Sequence, residues 1–233
     1  MRSGRAQRAG PGNETLKDGR WHPLERTLRV GVFYDGVTFK ITSDYYRYQS
    51  PWQARISFEG VDRIVEREVQ GWLHRRCEVV ERHLFIGLAC RPGGGRVGLA
   101  ESFERAMQRA GVQPHYLRRN RRGEKGVDTA LALEMQTAVL EGRIQIAALV
   151  ATDGDFVPAA QAVRRAGGRL VLVGLHLPRL SPRPMILSPE LTDAADRVIS
   201  LTEWIGAGAD PMALRQTSLF WVPRQSVMRK AWI

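Results

Sequence analysis

An apolar run that ends on two aspartates constrains the fold of this chain more than any other feature. Residues 146–150 read Ile-Ala-Ala-Leu-Val, and the chain then turns through Thr152-Asp153-Gly154-Asp155. A short segment that is apolar at every position is typical of a strand buried on both faces, as in a parallel sheet. Open α/β sheets bind ligands at the carboxyl ends of their strands. We therefore expect Asp153 and Asp155 at a ligand-binding edge.

A second apolar run, residues 28–34, ends in the same way on Asp35-Gly36. Strand and helix patterns alternate along the rest of the chain. Strands are predicted at 28–34, 84–90, 115–117, 145–151 and 169–175, and helices at 60–81, 99–110, 127–140 and 156–166. A turn of helix at 190–195 and a short strand at 197–201 follow. This alternation predicts βαβ units and a parallel α/β sheet.

The domain organisation follows from length and composition, since 233 residues with 43% hydrophobic content allow one principal domain with extra arms. We predict a basic, disordered arm at 1–26, the principal domain at 27–203 and a tail at 204–233. The tail docks on the body, on nucleic acid or on a second subunit of a homo-oligomer. Residues 35–59 are predicted to form a short helix and an irregular insertion, whose aromatic side chains pack onto the domain or stack bases. The glycine-rich segment 91–96 is predicted to be a linker.

The formal net charge of +11 favours a polyanionic partner, nucleic acid before an acidic membrane surface. Arginine supplies nearly all of it, so the composition of a GC-rich genome is an alternative source. No secretory leader is recognisable and no apolar segment is long enough to span a membrane, so we expect a cytoplasmic protein that does not enter membranes. Cys77 and Cys90 are too few for a zinc cluster and are expected to be reduced thiols.

Four aspartates form the candidate site: Asp35, Asp128, Asp153 and Asp155. Three of them have an ordinary explanation, since Asp155 suits a helix N-cap, Asp128 a first helical turn and Asp35 a turn. In a sheet of strand order 3-2-1-4-5, however, all four meet where the order reverses. Carboxylates so placed repel one another unless a cation holds them ionised, and Mg²⁺ or Mn²⁺ is the cation such oxygen ligands prefer. That ion would activate a water for phosphodiester hydrolysis.

A basic segment precedes Asp128 and would contact backbone phosphates of the substrate beside the ion. Its side chains are Arg118, Arg119, Arg121, Arg122 and Lys125. Solvated loop charge is the ordinary alternative for each of them. The five histidines are scattered along the sequence and none lies in an acidic segment, so no other equipped nucleophile is evident.

Four segments carry a family resemblance: Val32–Gly36, Lys125–Glu134, Val150–Pro158 and Ser188–Asp196. In order and spacing they resemble the motifs of NYN domain proteins of the LabA type, relatives of the PIN nucleases. The resemblance covers about residues 28–201. It implies a PIN-like, Rossmannoid three-layer fold with a central parallel sheet of order 3-2-1-4-5. It also implies a metal-dependent ribonuclease that binds RNA, with the four aspartates on the family's acidic positions.

This chain departs from the family pattern at Thr38, where members usually have asparagine. We expect the Thr38 hydroxyl to bind the substrate or the water shell of the ion. Thr152, Ser188 and Asp196 are expected either to orient the ligating carboxylates or to be structural. Glu134 lies six residues after Asp128, roughly 600° around a helix, and is not expected to be a ligand.

Two other functions remain open from the sequence. In the first, the same fold holds RNA or a partner protein without catalysis, and the substitution at Thr38 is the feature that favours it. In the second, Asp35-Gly36-Val37-Thr38 is the nucleophile segment of a haloacid-dehalogenase-like phosphatase. That chemistry requires an aspartate where this chain has Val37, which argues against it.

Overall fold

The computed structural model of the protein describes most of the chain. The described residues are 16–17, 20–21, 27–50, 53–89, 99–120, 123–124, 126–177, 180, 184–206 and 219–221. The strands are β1 (Leu16–Lys17), β2 (Arg20–Trp21), β3 (Thr27–Asp35), β4 (Arg55–Ile56), β5 (Arg76–Ala89), β6 (Gln113–Asn120), β7 (Gly123–Glu124), β8 (Ile146–Val150), β9 (Arg169–Gly174), β10 (Arg197–Ser200) and β11 (Phe220–Trp221). The helices are α1 (Gly36–Tyr48), α2 (Phe58–Leu73), α3 (Glu101–Arg109), α4 (Val127–Leu140), α5 (Val157–Arg165), α6 (Pro189–Ala194) and α7 (Leu201–Gly206), with a 3₁₀ turn at Gly154–Phe156.

The central sheet has six parallel strands in the order β10-β9-β8-β3-β5-β6, and β7 pairs antiparallel with the end of β6. The five strands predicted from the sequence therefore lie in the order 3-2-1-4-5. The observed strand order differs from the predicted one only in having further strands at the two sides of the sheet, β10 next to β9 and β7 next to β6. The strand that ends at Asp35 pairs directly with β8, Tyr34 being opposite Val150. The order of the sheet reverses between these two strands, as the prediction required.

Helices cover both faces of this sheet and bury two apolar layers. One layer packs the sheet against α1, α2, α3 and α7, with Phe39, Phe58 and Phe103 in ring contact. The other layer packs it against α4, α5 and α6 and includes Leu131 and Met135, which are fully buried. The strand β8 alternates between the two layers and is buried at every position, which explains its uninterrupted apolar sequence. The three-layer α/β fold is thus confirmed.

The predicted helix at 60–81 was wrong at its carboxyl end. The helix α2 ends at Leu73, and His74 takes a left-handed conformation with φ of 51°. From Arg76 onward the chain is strand β5, which starts well before the predicted residue 84. Its first residues alternate exposed and buried side chains, and over so short a stretch that pattern can be mistaken for helical spacing.

The two ends of the chain are described only in part. Within the predicted arm 1–26 the short strands β1 and β2 pair antiparallel, and the remainder of that arm lies outside the described residues. In the predicted tail, Phe220 pairs with Ile56 and its ring lies 5.6 Å from that of Tyr46. The backbone N–H of Ser57 also donates to the carbonyl of Leu219, at 2.7 Å. This part of the tail docks on the body. The predicted linker 91–96 is outside the described residues.

Among the described ranges, no helix combines the length and the apolarity that crossing a bilayer requires.

Candidate active site

Asp35 is the last residue of β3 and the N-cap of α1. Its Oδ1 atom accepts hydrogen bonds from the backbone N–H groups of Val37, at 3.1 Å, and Thr38, at 3.5 Å. The Thr38 hydroxyl donates to the other carboxylate oxygen, Oδ2. Burial raises the pKa of the Asp35 carboxyl, the bonds from Thr38 and Val37 oppose that rise, and the negative charge of Asp153 adds to it.

Gly36 lets α1 start directly against the neighbouring strand. A Cβ atom at this position would lie 2.7 Å from the backbone carbonyl oxygen of Phe85 and 2.8 Å from Cβ of Ile86. Asp35-Gly36 is a common turn dipeptide, but the close approach of α1 to β5 is the stronger reason for a glycine at this position. That approach holds Asp35 at the tip of β3.

Asp153 follows β8 and caps the 3₁₀ turn, its Oδ1 atom accepting from the N–H of Asp155 at 3.1 Å. Asp155 lies within that turn, so the prediction that it caps the following helix was wrong: α5 begins after Phe156 without a side-chain cap. Both carboxylates are exposed to solvent. Asp153 therefore caps this turn, and the Asp155 carboxylate does not take part in the capping hydrogen bond.

Ser188 supports the segment that carries Asp153. Its backbone N–H donates to the carbonyl of Thr152 at 2.9 Å, while its hydroxyl caps α6 by accepting from the N–H of Leu191 at 3.2 Å. A Cβ atom on Gly154 would lie 2.9 Å from this hydroxyl. The glycine therefore permits the close contact, and Ser188 and the buried Thr152 position the turn that carries Asp153.

Asp128 lies in the first turn of α4, a helix that packs against the 3₁₀ turn. Burial raises the pKa of the Asp128 carboxyl, and the charges of Asp35, Asp153 and Asp155 raise it further. The four aspartates therefore affect one another electrostatically at one edge of the sheet. The side chains are not gathered around a point: among the described residues, no group of three or more His, Cys, Asp and Glu side chains is arranged to hold a metal ion.

A cleft of about 410 Å³ opens beside Asp153. Its polar floor includes Thr152 and Ser188, and its walls are largely apolar. Two of the wall residues, Ile41 of α1 and Ile186, have 40% and 60% of their surface exposed. This cleft could not be predicted from the sequence, because its walls come from segments far apart in the chain. The only available signal was that Ile41 lies two turns after the cap of α1.

Of the residues predicted to contact substrate, Thr38 is buried, Arg118 is exposed and the side chains of the others are not described. Thr38 is only 6% exposed and its hydroxyl donates to Asp35, so it orients that carboxylate, and its contact with substrate or the hydration shell of an ion stays a prediction. Arg118 is exposed on β6. The side chain of Arg119, and the whole of Arg121, Arg122 and Lys125, lie outside the described residues.

Asp196 lies at the amino ends of β9 and β10, at the other end of the strands from Asp35 and Asp153. Its Oδ2 atom accepts from the N–H of Leu170 at 2.8 Å, at the amino end of β9, and Arg164 lies 3.6 Å from its other oxygen. It therefore fixes the start of β10 and does not orient the acidic residues. Glu134, which was not expected to be a ligand, is paired with Arg143.

Two histidines that are scattered in the sequence come together between the sheet and α4. The Nδ1 atom of His83 lies 3.0 Å from Nε2 of His115, and His115 stacks on Phe85 at 4.1 Å. Burial, followed by the proximity of His83, lowers the pKa of His115. In register His83 is opposite Phe33, two residues before Asp35, so the pair lies beneath the acidic edge and not in it.

A parallel sheet between two helical layers, with carboxylates at its reversal point, defines a Rossmann-like α/β protein with an acidic ligand edge. The sequence model of the NYN domain family matches residues 29–202, and the chain belongs to this family. NYN domains are part of the PIN-like superfamily, share the PIN-like nuclease fold and are usually nucleases.

Two solved structures are similar to this chain at low sequence identity, and the first of them has a related fold. A protein of unknown function from Vibrio parahaemolyticus is 17% identical, with a TM-score of 0.51 over 75% of this chain and 93% of its own. A protein from Listeria monocytogenes described as a UDP-N-acetylglucosamine 2-epimerase is 12% identical, with a TM-score of 0.39 over 89% of this chain and 50% of its own. The comparison with curated proteins finds no match.

Proposed function

We propose that this protein is a metal-dependent ribonuclease that hydrolyses RNA phosphodiesters at the acidic edge. The observation that carries the proposal is the placement of four carboxylates: Asp35 and Asp153 at the carboxyl ends of the paired strands β3 and β8, Asp155 in the turn after β8, and Asp128 in the first turn of α4. Burial raises the pKa of Asp35 and of Asp128; the charge of Asp153 adds to both rises, and those of Asp35 and Asp155 add to the rise at Asp128. Repulsion of this kind between ionised carboxylates is relieved by a bound cation. Membership of a family whose domains are usually nucleases supports the same conclusion.

The donor set fits a hard divalent ion, Mg²⁺ or Mn²⁺. Mg²⁺ in enzymes keeps several waters and commonly takes only one or two protein carboxylates directly, together with substrate phosphates. Such a site does not require three side chains within reach of one point. Asp35 and Asp153 are held by hydrogen bonds from backbone N–H groups, whereas the exposed side chains of Asp128 and Asp155 would rotate toward an ion bound beside them.

The chain's own residues have distinct parts in this proposal. Asp35 and Asp153 supply fixed negative charge, Thr38 keeps Asp35 oriented, and Asp128 and Asp155 complete the acidic edge. A bound divalent ion would lower the pKa of a water and neutralise charge on the scissile phosphate. Hydrolysis by such a water, without the ribose 2′-hydroxyl, leaves a 5′-phosphate and a 3′-hydroxyl.

Cys77 and His83 do not offer a competing nucleophile. The Cys77 thiol donates to the carbonyl of Glu66 at 3.0 Å, and burial raises its pKa to about 11, which disfavours the reactive thiolate. His83 is 4% exposed. Neither contacts the acidic edge, so hydrolysis is assigned to the aspartates.

The decisive experiment incubates the protein and labelled single-stranded and structured RNA with Mn²⁺, with Mg²⁺ and with EDTA. We expect cleavage with either ion, none in EDTA, and none from Asp153→Asn or Asp128→Asn. Glu141→Gln is the matched control because it removes the same charge from the other end of α4, about 20 Å away. It should cleave like the native protein.

Product chemistry and calorimetry complete the test. A 2′,3′-cyclic phosphate product, or cleavage that persists in EDTA, would contradict the mechanism. Calorimetry should show Mn²⁺ binding that is lost in Asp35→Asn and Asp153→Asn and kept in Glu141→Gln. RNA binding without cleavage by the Mn²⁺-loaded protein would favour the alternative, a non-catalytic RNA-binding module.

A further inference from the structure

The helix α1 runs away from the acidic edge and presents one continuous face to solvent. Its buried side faces the core with Thr38, Phe39, Thr42 and Tyr46. On the other side, the two most exposed large hydrophobic residues are Ile41, at 40%, and Tyr48, at 70%. They are seven residues apart, so they lie on nearly the same line along the helix, about 10 Å from each other. Ile41 is also a wall of the cleft that contains Asp153.

Tyr48 is exposed but held in place. The Arg55 guanidinium lies 5.6 Å from the centre of its ring and donates to its hydroxyl at 3.2 Å, and the Arg47 guanidinium lies 6.0 Å from the same ring. Arg47 is itself anchored by a hydrogen bond to the carbonyl of Gln53. An exposed ring fixed by two guanidinium groups differs from a mobile surface tyrosine, because its position is set before any ligand arrives.

The charge around Tyr48 suits a polyanion. Three cations, Lys40, Arg47 and Arg55, lie on this part of the surface with one carboxylate, Asp44, which pairs with Lys40 and Arg55. Positive charge beside an exposed aromatic ring is the combination by which proteins hold single-stranded nucleic acids: phosphates contact the cations and bases stack on the ring. A duplex does not offer its bases to such a ring.

We propose that the exposed face of α1 is the binding track for single-stranded RNA, with one base against Ile41 in the cleft and another stacked on Tyr48. The inference rests on the proposed function, because it takes RNA to be the substrate at the acidic edge. The separation of about 10 Å corresponds to about three nucleotides at the ~3.4 Å rise of a stacked strand. A dinucleotide bound at the acidic edge does not reach Tyr48, and a hexanucleotide does.

The test measures binding by fluorescence anisotropy, using Asp153→Asn protein in EDTA so that no RNA is cut. The labelled ligands are a dinucleotide, a hexanucleotide and a duplex long enough to cover the same face. Adding Tyr48→Ala should weaken hexanucleotide binding about tenfold, within the range that stacking of one base contributes. It should leave the dinucleotide and the duplex unchanged.

Two variants and a salt series control the interpretation. Tyr48→Trp keeps an aromatic ring and should retain the affinity. Leu140→Ala shortens an exposed side chain on a different helix, α4, and should not change the affinity. Since Tyr48 carries no charge, the slope of log affinity against log salt should be the same with and without it. A reduced slope in Tyr48→Ala would mean that phosphate contacts were lost through displaced arginines, which overturns the stacking assignment.

Equal hexanucleotide affinity in Tyr48→Ala, an equal loss for the duplex, or no binding of single-stranded RNA would each overturn the track. These outcomes are separable from those of the nuclease test. Binding that depends on Tyr48, with no cleavage by the native protein and Mn²⁺, refutes the nuclease and keeps the track. Cleavage by the native protein that does not depend on Tyr48, with no effect of Tyr48 on binding, supports the nuclease and refutes the track.

Discussion

Replacing Thr38 by valine tests how the acidic edge is held ionised. Thr38 is 6% exposed and its hydroxyl donates to Oδ2 of Asp35, so valine keeps the shape and removes one hydrogen bond. A hydrogen bond to a charged group contributes about 1.5–3 kcal/mol. Because the N–H groups of Val37 and Thr38 still bond Oδ1, we expect the free energy of unfolding at pH 7 to fall by about 1.5 kcal/mol, at the lower end of that range.

The loss should depend on pH in a defined direction. Burial already raises the pKa of Asp35 above its ordinary value of 3.8, and the Thr38 hydroxyl opposes that rise. Without the hydroxyl the folded-state pKa rises further. A group with a raised folded-state pKa contributes stability that is present at low pH and lost as the pH increases through that pKa. The difference between native protein and Thr38→Val should therefore be small in acid and largest at neutral pH.

Urea denaturation between pH 4 and pH 8 measures this difference. Thr38→Ser is the matched control, since it keeps the hydroxyl and loses only a buried methyl group, about 0.8 kcal/mol at every pH. Mn²⁺ affinity measured by calorimetry at pH 7 should fall in Thr38→Val and not in Thr38→Ser. If Thr38→Val and the native protein have the same stability from pH 4 to pH 8, Thr38 does not keep Asp35 ionised.

Three further predictions concern the fold. Burial raises the pKa of Asp62 to about 6 despite its ion pair with Arg82, so the free energy of unfolding should fall by about 3 kcal/mol as the pH rises from about 4 to about 6. Asp62→Asn should flatten that part of the pH profile in urea denaturation. Gly36→Ala should destabilise the protein by about 1–3 kcal/mol, seen as a lower Tm, because the new Cβ meets the β5 backbone. Leu131→Ala should cost about 3–5 kcal/mol in urea denaturation. Leu133→Ala, on the exposed side of the same helix, should stay within about 0.5 kcal/mol of the native protein.

The central strands could be predicted from the sequence because a strand buried on both faces has apolar residues at every position. Residues 146–150 are apolar throughout for this reason, and β8 is found at those five positions. The boundary between α2 and β5 could not be predicted, since it depends on one residue, His74, in a left-handed conformation. Nothing in the identity of a histidine requires that conformation. The docking of Phe220 on β4 likewise depends on contacts between residues far apart in sequence.

The candidate site divides in the same way. Asp35 and Asp153 were predictable because the carboxyl ends of neighbouring parallel strands must share an edge. The role of Thr38 was not, because a family pattern of asparagine says nothing about which oxygen a threonine hydroxyl will bond. For Asp196 the sequence left two roles open, orienting a carboxylate or a structural one, because the spacing within a motif does not say at which end of the strands a residue lies. The backbone bond to Leu170 settles that.

The two explanations of these aspartates, helix capping and ion binding, do not exclude one another. Asp35 and Asp153 each use Oδ1 to accept a backbone N–H, and that bond fixes the direction in which the carboxylate presents its charge. Asparagine caps helices about as well as aspartate, and alanine does not. Asp153→Asn should therefore keep its cap, fold normally and lose only the charge. Asp35→Asn keeps its cap as well, but an amide nitrogen replaces Oδ2, so the Thr38 hydroxyl must turn to accept a hydrogen bond instead of donating one. Alanine variants lose cap and charge together, so a loss of ion binding in them alone would not separate chemistry from stability.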